Sequence, residues 1–265
     1  MQIRRWIRLY YILLLASCSR IGHPMNDREA KDLRNAAVVV QSLGGNTIQL
    51  KDGVYESRAE QKQVSLVDSL WRGDINGDGV SDAAGLLAVN SGGSGQFVEL
   101  VVFLNTNGNL LPIPTLLLGD RVRVKSVRID SGKISLAMIV QGENEPLCCP
   151  TLHVSRSFVV EHGKLVSADW PRTFHCAGTE PFWGIQISDS TILFSSPEQR
   201  ERWRYENPIF FGMGLGYMTR DLAGNRVSIV IRRGNCSDGM SERAYPYSVT
   251  VTRGTSTLRG CAYSE

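Results

Sequence analysis

At 265 residues, 42% of them hydrophobic and 21% charged, the chain has room for one large or two modest domains with a buried core in each. Its 26 glycines favour many turns and argue against an architecture of long helices. A formal net charge of +3, which falls to zero once the three arginines of the first seventeen residues are set aside, excludes a basic nucleic-acid binder.

Arg4, Arg5 and Arg8, the apolar Leu9 to Leu15 and the small Ala16-Ser17 make residues 1–17 an export signal, too short for a comfortable transmembrane span. Leu15-Ala16-Ser17-Cys18 resembles the lipobox of bacterial lipoproteins, whose cysteine receives acyl chains such as palmitate and becomes the first residue. The resemblance implies a protein anchored through Cys18 to a bacterial membrane, on the periplasmic face of the outer membrane if the cell is Gram-negative. Each buried methylene contributes about 0.8 kcal/mol, so more than one acyl chain gives a stable anchor. The competing reading is a cysteine beside an ordinary cleavage site. Residues 18–32 then form a tether, with Asn26 to Arg34 mildly helical.

Residues 33–168 read as a β-rich domain. Thr47 to Leu50 and Val54 to Glu56 alternate on either side of Asp52-Gly53, which predicts a hairpin. Further strands are expected over 64–70, 83–89, 97–105, 121–129, 133–140 and 154–160, separated by glycine-bearing turns. The pattern predicts a sheet or a barrel-like domain.

Within it, Asp74-Ile75-Asn76-Gly77-Asp78-Gly79-Val80-Ser81-Asp82 offers oxygen ligands at calcium-loop spacing. Asp74, Asn76, Asp78 and Asp82 take positions 1, 3, 5 and 9, and the Val80 carbonyl takes position 7. Gly85 stands where an EF-hand has its bidentate glutamate. The loop resembles those of integrin-type β-propeller repeats and dockerins, which close on the ninth-position acid, and the resemblance implies a structural calcium ion. The competing reading is a solvated, Asx-rich turn.

From Asp169-Trp170-Pro171 the chain crosses into a second β-rich unit, residues 169–265, with short strands expected over 184–187, 191–194, 227–231, 247–251 and 257–259. The glycine-relaxed segment from Phe210 to Tyr217 reads as a strand packed on the core, or as a loop lining a groove. Arg200, Arg202 and Arg204 read as a solvated face. Five cysteines follow Cys18, and an oxidising compartment pairs most of them. Cys236 and Cys261 flank a predicted hairpin and are expected to bond. Cys148-Cys149 is left open between a vicinal disulfide, separate partners and free thiols. No histidine or serine motif defines a catalytic residue, and His175-Cys176 reads as an exposed histidine beside a structural cysteine.

Two stretches look like domains of uncharacterised bacterial envelope proteins. Gly73 to Ala84, Gly92 to Gly95 and Cys148-Cys149-Pro150-Thr151 carry the first resemblance; Cys176-Ala177-Gly178-Thr179-Glu180-Pro181-Phe182-Trp183, Cys236 to Ser241 and Gly260-Cys261 carry the second. They imply location and modular makeup and no activity. The expectation is therefore a membrane-anchored, non-enzymatic lipoprotein that binds an envelope protein or a small ligand. Glu180, Phe182, Trp183, Trp203 and Tyr245 form a candidate ligand face, against the default that aromatic residues fill the core. The alternatives are an envelope inhibitor or small-ligand sensor, and a hydrolase using Glu180 or Asp238 as acid and base.

Overall fold

A computed structural model describes residues 27–142, 145–146, 148–206, 208–212 and 214–265. The signal segment, Cys18 and the start of the tether lie outside the described residues. Strands account for 63% and helix for 4%, and the chain is mainly β, with two curled half-barrel sheets.

The described residues begin with α1 (Asp27–Arg34), followed by the antiparallel pair β1 (Ala37–Val40) and β2 (Asn46–Gln49). Next come β3 (Val54–Ser57), β4 (Lys62–Gly73), β5 (Asp82–Ser91), β6 (Phe97–Thr106) and β7 (Asn109–Pro112), which form a second sheet with each strand paired to the next, and β8 (Leu116–Asp120), which also pairs with β6. A four-stranded sheet follows from β9 (Arg123–Asp130), β10 (Lys133–Val140), β11 (Leu152–Glu161) and β12 (Lys164–Ser167). The remaining strands are β13 (Phe174–Thr179), β14 (Phe182–Ile187), β15 (Thr191–Ser195), β16 (Arg200–Arg204), β17 (Ile209–Phe211), β18 (Gly214–Arg220), β19 (Arg226–Ser237), β20 (Ala244–Arg253) and β21 (Ser256–Tyr263). They form one antiparallel sheet in the order β16-β15-β14-β13-β21-β20-β19-β18-β17.

The unbroken apolar run of β5 follows from burial on both faces. Ala84 and Leu86 join the large cluster that continues through β10, β11 and the nine-stranded sheet. Ala83, Leu87 and Val89 pack on the opposite side with Leu33, Val38, Val40, Ile48 and Leu50, beneath α1 and the β1-β2 pair. That second cluster explains a departure from the expected hairpin. Only a Lys51 to Val54 bridge forms across Asp52-Gly53; β2 then pairs with β1 and β3 with β4. Alternation set which side chains turn inward, but the partner strand was chosen by the apolar face of β1.

Alternation also resolves the arginine cluster. In β16, Glu201 and Trp203 point inward while Arg200, Arg202 and Arg204 are exposed. The nine-stranded sheet curls until β16 meets β18, where the Thr219 hydroxyl donates to the Arg204 carbonyl at 2.6 Å. The last strand, β17, packs against β8 of the first half. A seam opens where β17 leaves the curl.

Candidate ligand-binding cleft

The Asp-rich loop closes through its own backbone amides. Asp74 accepts from Gly77 N at 2.7 Å and from Gly79 N at 2.9 Å; Asn76 Oδ1 accepts from Asp78 N at 3.1 Å; Asp78 accepts from Val80 N at 2.7 Å. Asp82 is fully buried, and its two oxygens take Ile75 N and Asn105 N, each at 2.8 Å. Burial pushes the Asp82 carboxyl upward, an effect the amides of Asn105 and Ile75 oppose. Val80 is exposed. Each of these oxygens keeps a further lone pair, so the set is chemically compatible with calcium. Among the described residues, no three His, Cys, Asp or Glu side chains converge as a metal-holding group.

Cys236 and Cys261 are bonded, with S–S 1.96 Å and Cα atoms 5.6 Å apart, and Cys148 is joined to Cys149. Cys176 is free and buried, its thiol pushed up to about 12 by burial, which makes it inert. Neighbouring His175 lies on the other face, stacked on Tyr263 and 3.2 Å from Glu265.

The five residues of the candidate ligand face do not share one surface. Trp183 and Trp203 are 5% and 2% exposed, and Trp203 stacks on Phe194 while donating to Glu201. Glu180 and Phe182 are exposed at the β13-β14 turn, and Tyr245 is half-buried, donating to Asp238. Asp238 is held down at about 2, first by the Ser241 and Met240 amides. A carboxylate so firmly ionised suits the base or nucleophile of a glycosidase and not its general acid, which needs a raised value.

The residues that do converge lie at the seam. A cleft of about 570 Å³ is floored by Leu116 of β8, Leu165 of β12, Phe210 of β17 and Leu215 of β18, with Trp170 and Tyr217 in its lining. It draws on both halves of the chain, and its volume falls within the range of about 300–1,000 Å³ typical of small-molecule sites. Phe210 packs edge-on against Phe158, and the buried Arg156 guanidinium backs its ring at 4.8 Å while donating to the Gly212 carbonyl at 2.8 Å. Burial lowers Arg156 to about 10, so it stays charged. Trp170 is fixed by Arg233, whose guanidinium lies 4.8 Å from the ring and also bonds the Asp169 carbonyl.

The polar lining is specific. Glu161 and Arg172 form an ion pair, and the Arg172 hydrogen bond lowers the Glu161 carboxyl. Tyr205 and Tyr217 lie with ring centroids 5.9 Å apart. Burial raises Tyr205, with nearby Asp189 adding to the effect, and holds Tyr217 well above its ordinary value. Both phenols are therefore neutral donors throughout the physiological range. Tyr217 is 1% exposed; the buried side-chain polar atoms without a partner among the described residues are Arg72 Nε, Arg156 Nη1 and Trp183 Nε1, and the Tyr217 hydroxyl is not one of them. Its ionisation responds to Tyr205 and Asp189, which line the cleft beside it.

Two other cavities are less enclosed. One, of about 660 Å³, runs along the Cys236-Cys261 disulfide with Arg232 and Arg259; the other, of about 550 Å³, borders Cys148-Cys149 with Arg121 and Arg123. The sequence singled out Phe210 to Tyr217 as strand or groove lining, and it is both. It gave no signal for Tyr205, Arg172 or Leu116, which are distant in the chain. No known family model matches the chain, and no curated protein or solved structure matches it. Fold and site alone define the class: a curled-sheet β-protein with an apolar cleft of small-molecule size at its seam.

Proposed function

We propose that this protein is a non-enzymatic lipoprotein of the bacterial cell envelope, held to the membrane through Cys18, that binds a small amphiphile in the seam cleft. One observation carries the reading: apolar Leu116, Leu165, Phe210 and Leu215 share one cleft lining with the phenols of Tyr205 and Tyr217. Protein-lined apolar cavities with a few convergent polar groups are the usual form of a ligand site. The small-ligand sensor is thus favoured over the scaffold and over the hydrolase, since neither Glu180 nor Asp238 lines this cleft.

The test is a titration with pyrene, an apolar fluorophore without hydrogen-bonding groups. The full chain carrying Cys18→Ser, which leaves no acyl group of its own to compete, is expected to bind one pyrene saturably. Absence of saturable binding would overturn the proposal. Calcium belongs to it as a structural ion of the Asp74 loop, supported by the spacing and by the spare lone pairs of Asp74, Asn76, Asp78 and Asp82, with the Val80 carbonyl as the backbone ligand.

A further inference from the structure

We infer that the cleft selects an uncharged amphiphile, an apolar body ending in a carbonyl or ester that the Tyr205 and Tyr217 hydroxyls hold, over a free carboxylate or an ammonium. This rests on the proposed binding function and names its ligand class. Two observations carry it independently.

The first is the charge inventory. The lining carries two cations, Lys164 and Arg172, and two carboxylates, Glu161 and Asp189, with His162 beside them, and Arg172 is already paired with Glu161. Arg172 is thus taken by Glu161, and Asp189, close enough to both tyrosines to raise them, repels a ligand carboxylate. Lys164 and Asp189 are both exposed, and exposed ion pairs return only about 0–1 kcal/mol. Seating a charge against the apolar floor costs more than that return.

The second is the phenol pair. Tyr205 and Tyr217 both line the cleft, with their ring centroids 5.9 Å apart. Each neutral hydroxyl can donate to a ligand carbonyl in place of water, a net return of about 0.5–1.5 kcal/mol that brings in no charge. Tyr205, half-buried at the mouth, offers the second hydroxyl.

The experiment displaces pyrene from the full Cys18→Ser chain at pH ~7 with methyl laurate, laurate and dodecylamine, which share the same length of chain. Methyl laurate is expected to displace at a concentration about tenfold below the other two. In Tyr217→Phe, which keeps the ring and removes the hydroxyl, that advantage is expected to shrink about fivefold, the loss of one hydrogen bond, with each displacement read against the variant's own pyrene affinity. Should Tyr217→Phe fail to fold, Tyr205→Phe at the more open position carries the same expectation. Equal or better displacement by laurate or dodecylamine, or an ester advantage unchanged in the phenylalanine variant, would overturn the inference with the binding function intact. Failure of pyrene itself to bind would instead overturn the binding function.

Discussion

A Cβ placed on Gly178 would lie 2.2 Å from the indole Nε1 of Trp183 and 2.6 Å from the Arg259 carbonyl oxygen. The two residues face each other across β13 and β14, so the indole fills the space that a side chain at 178 would need. Backbone and indole offer no flexible tip to move aside. Gly178→Ala is expected to destabilise by about 1–3 kcal/mol, lowering Tm by roughly 3–10 °C. Gly93→Ala, where nothing lies within 4 Å, is the control and should melt with the wild type. Thermal unfolding followed by circular dichroism checks both.

The bond between Cys236 and Cys261 closes a separation of 25 residues across β19 to β21. In the chain-entropy account, its removal in the Cys236→Ser, Cys261→Ser double variant weakens folding by about 3 kcal/mol. Denaturant titration should show a lower midpoint. An unchanged midpoint would mean that β20 and β21 hold the register unaided.

Acid exposes a different support. Asp221 is pulled down to about 2, first by the Asn225 side chain and then by Arg253, whose Nε lies 2.6 Å away. A carboxyl depressed on folding stabilises above its unfolded value near 3.9, and that contribution is lost as pH falls from about 4 to about 2. Tm measured across this window should fall steeply in the wild type. Asp221→Asn should be less stable near neutrality and flatter in acid, the two curves approaching each other at about pH 2. Parallel curves would contradict the assignment.

Calcium binding by the Asp74 loop predicts a saturable rise in Tm. At about 10 mM ion and a Kd of about 0.1–1 mM, the stabilisation is about 1.4–2.7 kcal/mol. Asp78→Ala, which removes an exposed oxygen donor without emptying the core, should abolish the rise. A shift that persists in this variant, or none in the wild type, would contradict calcium as the loop's ligand.

Much of this architecture was legible because local pattern and burial coincide. The run from Ala83 to Val89 announced a strand covered on both faces, Lys133 to Val140 emerged with the expected bounds, and Cys236 with Cys261 flanked strands that do pair through β20. The β2-β3 hairpin misled because alternation reports which side faces the core and says nothing about which neighbour supplies the backbone partner. Trp183 and Trp203 followed the default for aromatic residues and entered the core. The cleft was illegible for a geometric reason. Leu116, Arg172, Tyr205 and Tyr217 meet only because the nine-stranded sheet curls and β17 departs to lie on β8, a closure that no local spacing encodes.

The most direct measurement compares pyrene binding by the full Cys18→Ser chain with and without Ser167→Trp. Ser167 is a half-buried β12 residue that lines the cleft, and an indole there would occupy the ligand volume. If the seam is the binding site, the tryptophan variant melts near the parent temperature and loses pyrene affinity at least tenfold. Undiminished pyrene binding by the folded variant would place the apolar site elsewhere and contradict the account.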